Sequence, residues 1–213
     1  MQKFDKLFPS LCALFCALVL LSNLIYQKFI LIKLSFIESF SISSGALLYP
    51  ITYMINDIIA EFYGKARSKF CIILSVFVNI ISLSIISLVD YMPASYWSKV
   101  TNEEFHHIFG FYGVAFCGSL IAFFISQNLD IFIYLHLKKI TRDKFIMLRN
   151  IVSTSASLLV DTVIVIGFMY YFGAIPRDQF ILLIFHSFIW KFIFTIIASP
   201  LFYVSLRLIK MYN

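Results

Sequence analysis

The chain has 213 residues, 61% of them hydrophobic and 13% charged, with a formal net charge of +6. A soluble domain carries about 45–50% apolar and about 25% charged residues, and here the apolar residues fall in long runs. A soluble fold is therefore excluded and an all-α polytopic membrane protein is expected. The positive balance does not call for nucleic acid as a partner, because basic residues gathered in cytoplasmic loops produce the same sign.

About 20 residues cross a hydrocarbon core. Six spans can be drawn on that basis, near residues 8–32, 42–63, 70–89, 111–137, 151–172 and 180–206, as one membrane domain covering 1–213. The first run is longer than a signal-peptide core and ends without a small-x-small cleavage site, so it is expected to remain as a span. Loop charges set the orientation. Lys3 and Lys6 precede the first span, and Lys65, Arg67 and Lys69 join the second to the third. Lys138, Lys139, Arg142, Lys144 and Arg149 stand against Asp143 between the fourth and fifth, and Arg207 and Lys210 follow the sixth. The other side has Lys33, Lys99 and Arg177 with Glu38, Asp90, Glu103, Glu104 and Asp178. The basic side is cytoplasmic by the positive-inside rule, so both termini are expected inside. Six spans also divide into three plus three of opposite orientation, a count compatible with an inverted repeat.

The long outer connection, residues 90–110, holds Tyr96 and Trp97, which suit an interfacial belt, and a pair, His106–His107, read as a solvated loop feature. Cys12, Cys16, Cys71 and Cys117 all lie in apolar runs with no CxxC spacing, so they read as small buried hydrophobes rather than a disulfide or zinc framework. Neither a metal nor another cofactor is expected. The chain has no P-loop, HExxH or GxSxG, which leaves ATP hydrolysis and membrane hydrolase chemistry without support.

Polar groups inside the spans carry the functional argument. They include Ser22, Asn23, Gln27 and Lys28 in the first, and Thr52, Tyr53, Asn56, Asp57 and Glu61 in the second. Asn79 lies in the third, and Ser126, Gln127, Asn128 and Asp130 in the fourth. Ser153, Thr154, Ser157 and Asp161 follow in the fifth, and His186, Trp190, Lys191 and Thr195 in the sixth. An acid at mid-membrane costs roughly 2.5–3.5 kcal/mol to insert. Serines alone would be explained by helix packing. His186 reads more simply as a hydrogen-bonded interfacial histidine, and Glu61 can pair with Lys65 or Arg67 at the membrane edge. Asp57, Asp130, Asp161 and Lys191 together exceed what packing needs. Carboxylates and carboxamides can read one edge of a planar heterocycle while Tyr and Phe rings stack on its faces. A guanine-like edge matches one carboxylate in a two-pronged contact.

Asp161 lies roughly 12 residues from the basic end of its span, and Lys191 roughly 12 residues from the opposite end of the next. Each is thus about 18 Å deep in a core about 30 Å thick. The short turn near residues 173–178 makes the two spans antiparallel neighbours. Lys191 is therefore expected to pair with Asp161 and to border the ligand pocket.

The most specific stretch is Tyr49–Arg67, YPITYMINDIIAEFYGKAR, in which Pro50, Tyr53, Asp57, Glu61 and Gly64 share one helical face. Pro50-x-Thr52-Tyr53, then Asp57, then Glu61-x-Tyr63-Gly64 resembles the second-helix hallmark of the queuosine precursor transporters, also called the vitamin uptake transporter family. Asn56 is a point where this chain departs from that pattern. The likeness extends to Ser22-Asn23, Ser126-Gln127 with Asp130, Arg149, Ser153-Thr154, Asp161, Lys191 and Pro200. It implies a six-helix, multi-pass bacterial inner-membrane importer of deazaguanine bases (the cyano- or aminomethyl-substituted precursors, or queuine) that go into tRNA modification. Asn23, Tyr53, Asp57, Glu61, Gln127, Asp130, Asp161 and Lys191 are the expected substrate contacts. A homo-oligomer is compatible with this reading.

Two other classes stay open. One is a substrate-binding subunit of an ATP-driven vitamin importer that needs a separate energising complex. Ala13-Leu-Phe-Cys-Ala17 offers it a small-xxx-small docking pattern. The other is a membrane enzyme, for which no nucleophile–base constellation is visible.

The charge pattern makes a testable statement about topology. A single cysteine placed at Arg142, in a chain freed of its native cysteines, should be labelled by an impermeant thiol reagent only after the cells are opened. Labelling of intact cells would reverse the orientation.

Overall fold

The computed structural model describes residues 2–26, 28–34, 37–109, 112–142, 144–173 and 175–211, with side chains omitted at 2–6, 32–41, 112–115 and 208–211. Gln27, Gly110, Phe111 and Asp143 of the sequence reading lie outside the described residues, as do the side chains of Lys3, Lys6, Lys33, Glu38 and Lys210. The elements run α1 (Gln2–Ile25), β1 (Phe29–Leu34), β2 (Ile37–Ser43), a 3-10 turn (Ser44–Leu47) and α2 (Tyr49–Tyr91). They continue with α3 (Asn102–Phe109), α4 (Tyr112–Ile140), α5 (Ile146–Tyr171), a second 3-10 turn (Arg177–Gln179) and α6 (Phe180–Met211). Five helices are long and apolar enough to cross a membrane, and one of these segments, Ser44–Tyr91, is 48 residues long.

That long segment is two helices. Gly64 has φ 80° and ψ 175°, a non-helical conformation inside α2 that side chains with a Cβ avoid. The chain reverses there. Ser68 Oγ donates to Asn56 Oδ1 at 2.6 Å, whereas twelve residues of straight helix would hold them about 18 Å apart. Ile55 and Ile59 also pack into one apolar cluster with Cys71 and Ile72. The second and third expected spans therefore lie on the two antiparallel limbs of α2, residues 49–63 and 65–91. Phe15 of α1 and Phe123 of α4 join the same cluster, so the hairpin is wedged between those helices.

The first expected span differs. The helix stops at Ile25, and the apolar residues after it form an antiparallel β-hairpin, an addition to the expected all-α fold. Phe29 pairs with Ser43, Ile30 with Ile42 and Ile32 with Phe40, with an irregularity before Leu34 and Ile37. The strand signal was present in Ser39-Phe-Ser-Ile-Ser43, which alternates with a period of two, but it was hidden beside a longer apolar run. Serines then tie the hairpin to the end of α1, where carbonyls lack helical partners. Ser43 Oγ donates to Tyr26 O, Ser44 Oγ to Ile25 O, and Ser22 Oγ to Gly45 O at 2.8 Å. The approach at Gly45 is so close that a Cβ there would lie 2.5 Å from Ser22 O.

The bundle is apolar outside and polar inside. Ile73, Phe77, Ile85 and Leu201 are exposed on outward faces, whereas Asn56, Asp57, Gln127, Asp130 and Ser157 have no exposed surface. This is the arrangement a hydrocarbon solvent selects. Asn128 faces outward and bonds to the Phe124 carbonyl of its own helix at 2.7 Å. Outside the spans, Thr101 and Glu104 form a reciprocal capping box that starts α3. The Thr101 N–H and O–H hold the Glu104 carboxyl below its usual pKa. His106 Nδ1 meets Asp90 Oδ2 at 2.8 Å on the surface, and Tyr96 and Trp97 are exposed. Cys12, Cys16 and Cys71 are buried, Cys117 is exposed, and all four are free.

Gly64 carries a direct stability prediction. Gly64→Val forces a β-branched residue into a glycine-only conformation and should cost about 1–3 kcal/mol or more. A lower thermal midpoint in detergent should report it. An unchanged midpoint would mean that the turn tolerates a different backbone.

Candidate functional site

The polar interior is arranged in three groups along the bundle. The outermost lines a cleft between the end of α1, the first 3-10 turn, α4, α5 and α6. Tyr26, Phe29 and Ser43 form its hairpin side, and Asn23, Tyr49, Ser119, Asp161, Thr162 and Lys191 supply its polar and aromatic groups. Lys191 Nζ donates to Asp161 Oδ2 at 2.8 Å and to Thr162 Oγ1 at 3.1 Å, and lies 5.0 Å from the centre of the Tyr49 ring. The pairing expected from equal depth is the one found, and it borders the cleft. Asp161 Oδ1 receives a long contact of 3.4 Å from Ser126 Oγ. Ser119 sits at the other end of Tyr49, 3.2 Å from its hydroxyl, and donates to Asn23 Oδ1 at 2.8 Å. Asn23 Nδ2 in turn donates to Asn79 Oδ1 at 2.9 Å. One network thus joins α1, both limbs of α2, and α4, α5 and α6.

The middle group is fully buried. Asn56 Nδ2 donates to Gln127 Oε1 at 2.7 Å, so the residue that departs from the family pattern holds the α2 hairpin to α4. Asp57 Oδ2 accepts from Asn150 Nδ2, and Asn150 Oδ1 accepts from Ser199 Oγ at 3.1 Å. Asp130 lies beside Asp57, Ser153 and Thr154. Tyr53 lies beside Ser126, within electrostatic reach of Asp161 and Asp130.

The third group closes the end at which α2 reverses. Glu61 Oε2 is 3.0 Å from Lys138 Nζ and 3.7 Å from the Arg149 guanidinium, and accepts from the Tyr134 hydroxyl at 3.1 Å. Arg149 lies 5.2 Å from the centre of the Tyr134 ring with 1% of its surface exposed. The partners expected for Glu61 were Lys65 and Arg67. Lys65 lines the same cleft as Glu61, but the ion pairs of Glu61 go to Lys138 and Arg149, and Arg67 lies over the rings of Phe8 and Tyr63. A basic cleft lined by Lys65, Lys138, Lys139 and Arg142 opens beside this group.

The eight expected contacts therefore divide. Asn23, Asp161 and Lys191 border the outer cleft, Tyr53, Asp57, Gln127 and Asp130 lie in the middle group, and Glu61 belongs to the closing group. Sequence reasoning missed Tyr49, Ser119, Tyr134, Asn150 and Ser199. Extending the stripe Ser153–Ser157–Asp161 back by three residues would have reached Asn150. Tyr49, Ser119 and Tyr134 gave no such signal, because they look like packing residues until a partner helix is placed. Among the described residues, no three His, Cys, Asp or Glu side chains are grouped to hold a metal ion.

Comparison with known proteins gives a consistent assignment. The family profile described as "Putative vitamin uptake transporter" matches residues 43–205. A Bacillus subtilis (strain 168) protein named "Probable queuosine precursor transporter" is 29% identical over 178 residues, covering 81% of this chain and 76% of that protein. No solved structure matches the chain.

The Lys191–Asp161 pair can be tested by stability. Lys191→Met leaves a buried carboxylate without its partner and should destabilise by about 3–5 kcal/mol. Lys191→Met combined with Asp161→Leu should recover much of that loss. Equal loss of thermal midpoint in the single and double variants would show that the pair contributes nothing as a pair.

Proposed function

This chain belongs to the vitamin uptake transporter family, and from that premise we propose that it imports queuosine precursors across a bacterial inner membrane. The substrate is a deazaguanine base, either a cyano- or aminomethyl-substituted precursor or queuine, delivered for tRNA modification. The observation that carries the reading is the outer cleft, with its acid–base pair, carboxamide and stacked-ring position on one apolar frame. Such a surface suits a small planar heterocycle with both donors and acceptors. Asp161, Lys191 and Asn23 contact the base as it enters from the hairpin side. Glu61 acts at the far end, where its contacts to Lys138, Arg149 and Tyr134 hold α2, α4 and α5 together and close the exit.

Both termini are cytoplasmic in this reading. It is supported by the juxtaposition of two basic loops, since Glu61 beside the Gly64 turn pairs with Lys138 at the end of α4. The spans group as three plus three. The second and third return at Gly64 with φ 80°, and the fifth and sixth near Gly173 with φ 73°, at opposite ends of the bundle. A fixed site between two inverted halves suits alternating access.

One observation favours a second reading. Ala13 and Ala17 face outward from α1, leaving the small-residue pattern free to dock an energising subunit. The deciding experiment expresses the chain alone in cells lacking their own importer, their own queuosine synthesis and any energising complex, and supplies each base in turn. Queuosine-modified tRNA should reappear with at least one of them. Rescue only when an energising complex is added would support the subunit reading. In the same cells Asp57→Asn should abolish uptake while the protein still accumulates in the membrane. A wild-type rate would remove Asp57 from the pathway.

A further inference from the structure

The middle group contains more hydrogen-bonding capacity than its own contacts use. The Tyr53 hydroxyl, Asp57 Oδ1, Gln127 Nε2, both oxygens of Asp130 and Thr154 Oγ1 are buried and make no hydrogen bond of normal geometry, although Ser126 lies near Tyr53, and Ser153 and Thr154 lie near Asp130. None of these five residues has more than 2% of its surface exposed. Native interiors leave few such groups, because each loses its hydration and gains nothing in return. Here they converge. Asp57 and Asp130 are adjacent, Thr154 lies beside Asp130, and Tyr53 stands within electrostatic reach of Asp130. Gln127 and Asp130 are three apart on α4, and Tyr53 and Asp57 four apart on α2, so each pair shares a helical face.

The signs of these atoms indicate what they would bind. Asp57 and Asp130 offer only acceptors when ionised, and Asp130 has both oxygens available. Gln127 offers an N–H donor, because its oxygen is already occupied by Asn56 Nδ2. Tyr53 and Thr154 offer hydroxyls that can donate. A bare cation would use the carboxylates and oppose the amide donor. A carboxylate or phosphate would be repelled by the negative charge that the two adjacent acids share. A flat ring with two adjacent N–H donors beside a carbonyl uses the carboxylates and the amide donor together. The two donors meet Asp130 in a two-pronged contact of the kind carboxylates make with forked N–H groups, the carbonyl accepts from Gln127, and a further ring N–H meets Asp57 Oδ1.

We infer that Tyr53, Asp57, Gln127, Asp130 and Thr154 form an inner binding site that reads the amino-and-carbonyl edge of a guanine-like base, distinct from the outer cleft. This rests on the importer reading and deepens it. Depth separates the two stations. Asp57 and Asp130 lie seven and ten residues from Gly64 and Ile140, about 10–15 Å from the closed end. Asp161 lies fifteen residues into α5, about 22 Å from that end. Tyr53 and Ser126 connect them, so the base passes from a cleft that admits it to a site that discriminates.

The test measures selectivity rather than transport. Purified protein in lipid nanodiscs is titrated with radiolabelled cyano-substituted deazaguanine, with guanine, and with the counterpart of guanine that lacks the exocyclic amine. The intact protein should prefer the amine-bearing base by about tenfold or more. Asp130→Asn should reduce that preference to about threefold or less, whereas Lys191→Met combined with Asp161→Leu, which keeps the stability that the single change loses, should weaken all probes together and leave the preference unchanged. Should Asp130→Asn fail to accumulate, Gln127→Glu serves, because it keeps an acceptor for Asn56 and replaces the unused donor with a further acceptor. It should weaken binding of every carbonyl-bearing probe by about tenfold. An Asp130→Asn protein that keeps the full preference overturns the inner site, as does sodium binding at Asp130 with no effect on base selectivity. Preference for guanine that depends on Asp130, without binding of the deazaguanine, upholds the site and removes the proposed cargo. Failure of the intact protein to bind any probe overturns both.

Discussion

Lys191 carries an ammonium at mid-depth on α6, where hydrocarbon offers it no hydration and a charge is tolerated only with a partner. Much of the bundle is arranged to meet that requirement. Asp161 supplies the countercharge from α5, Thr162 a second acceptor, and Tyr49 the face of a ring. Each of these positions is fixed by something else: Tyr49 by the start of α2 and by Ser119, and Asp161 by Ser126. The result is a charged pair that draws α5 and α6 together and also forms the wall of the outer cleft. Its structural role and the binding role proposed for it rest on the same geometry.

The α2 hairpin imposes the second constraint. A short first limb with a sharp reversal keeps Asn56 and Asp57 close to Ser68, Gln127 and Asn150. A straight helix would have carried those side chains past their partners. The reversal also gives Glu61 its place. Glu61 faces α4 and α5, where Lys138 and Arg149 pair with it, and the acid becomes a tie between helices rather than a partner for its own loop.

The three polar groups differ in how completely they are satisfied. The outer network is connected through hydrogen bonds from Asn79 to Tyr49 and through Lys191 to Asp161. The closing group surrounds one carboxylate with two cations and a hydroxyl. Among the described residues, the middle group combines complete burial with several donors and acceptors that make no hydrogen bond of normal geometry. Polar networks stabilise when every member is paired and become costly when they are not. That gradient therefore separates side chains that hold the bundle from the side chains proposed to meet a ligand.

The sequence by itself determined the membrane solvent, the polar faces, the family hallmark in α2, and the pairing of Lys191 with Asp161. These follow from composition, from helical periodicity and from the equal depth of two residues on adjacent antiparallel spans, all of which are local or nearly local. The β-hairpin at 29–43 was obscured because its alternation is short and adjoins a helix-length apolar run. Tertiary structure alone decided the partners of Glu61, the roles of Asn150, Ser119, Ser199 and Tyr134, and the division of eight expected contacts into three groups. Which helices face one another depends on where Gly64 reverses the chain and how the apolar cluster of Phe15, Ile59, Ile72 and Phe123 packs. Spacing along one helix specifies a face, but the side chains opposite that face come from other helices.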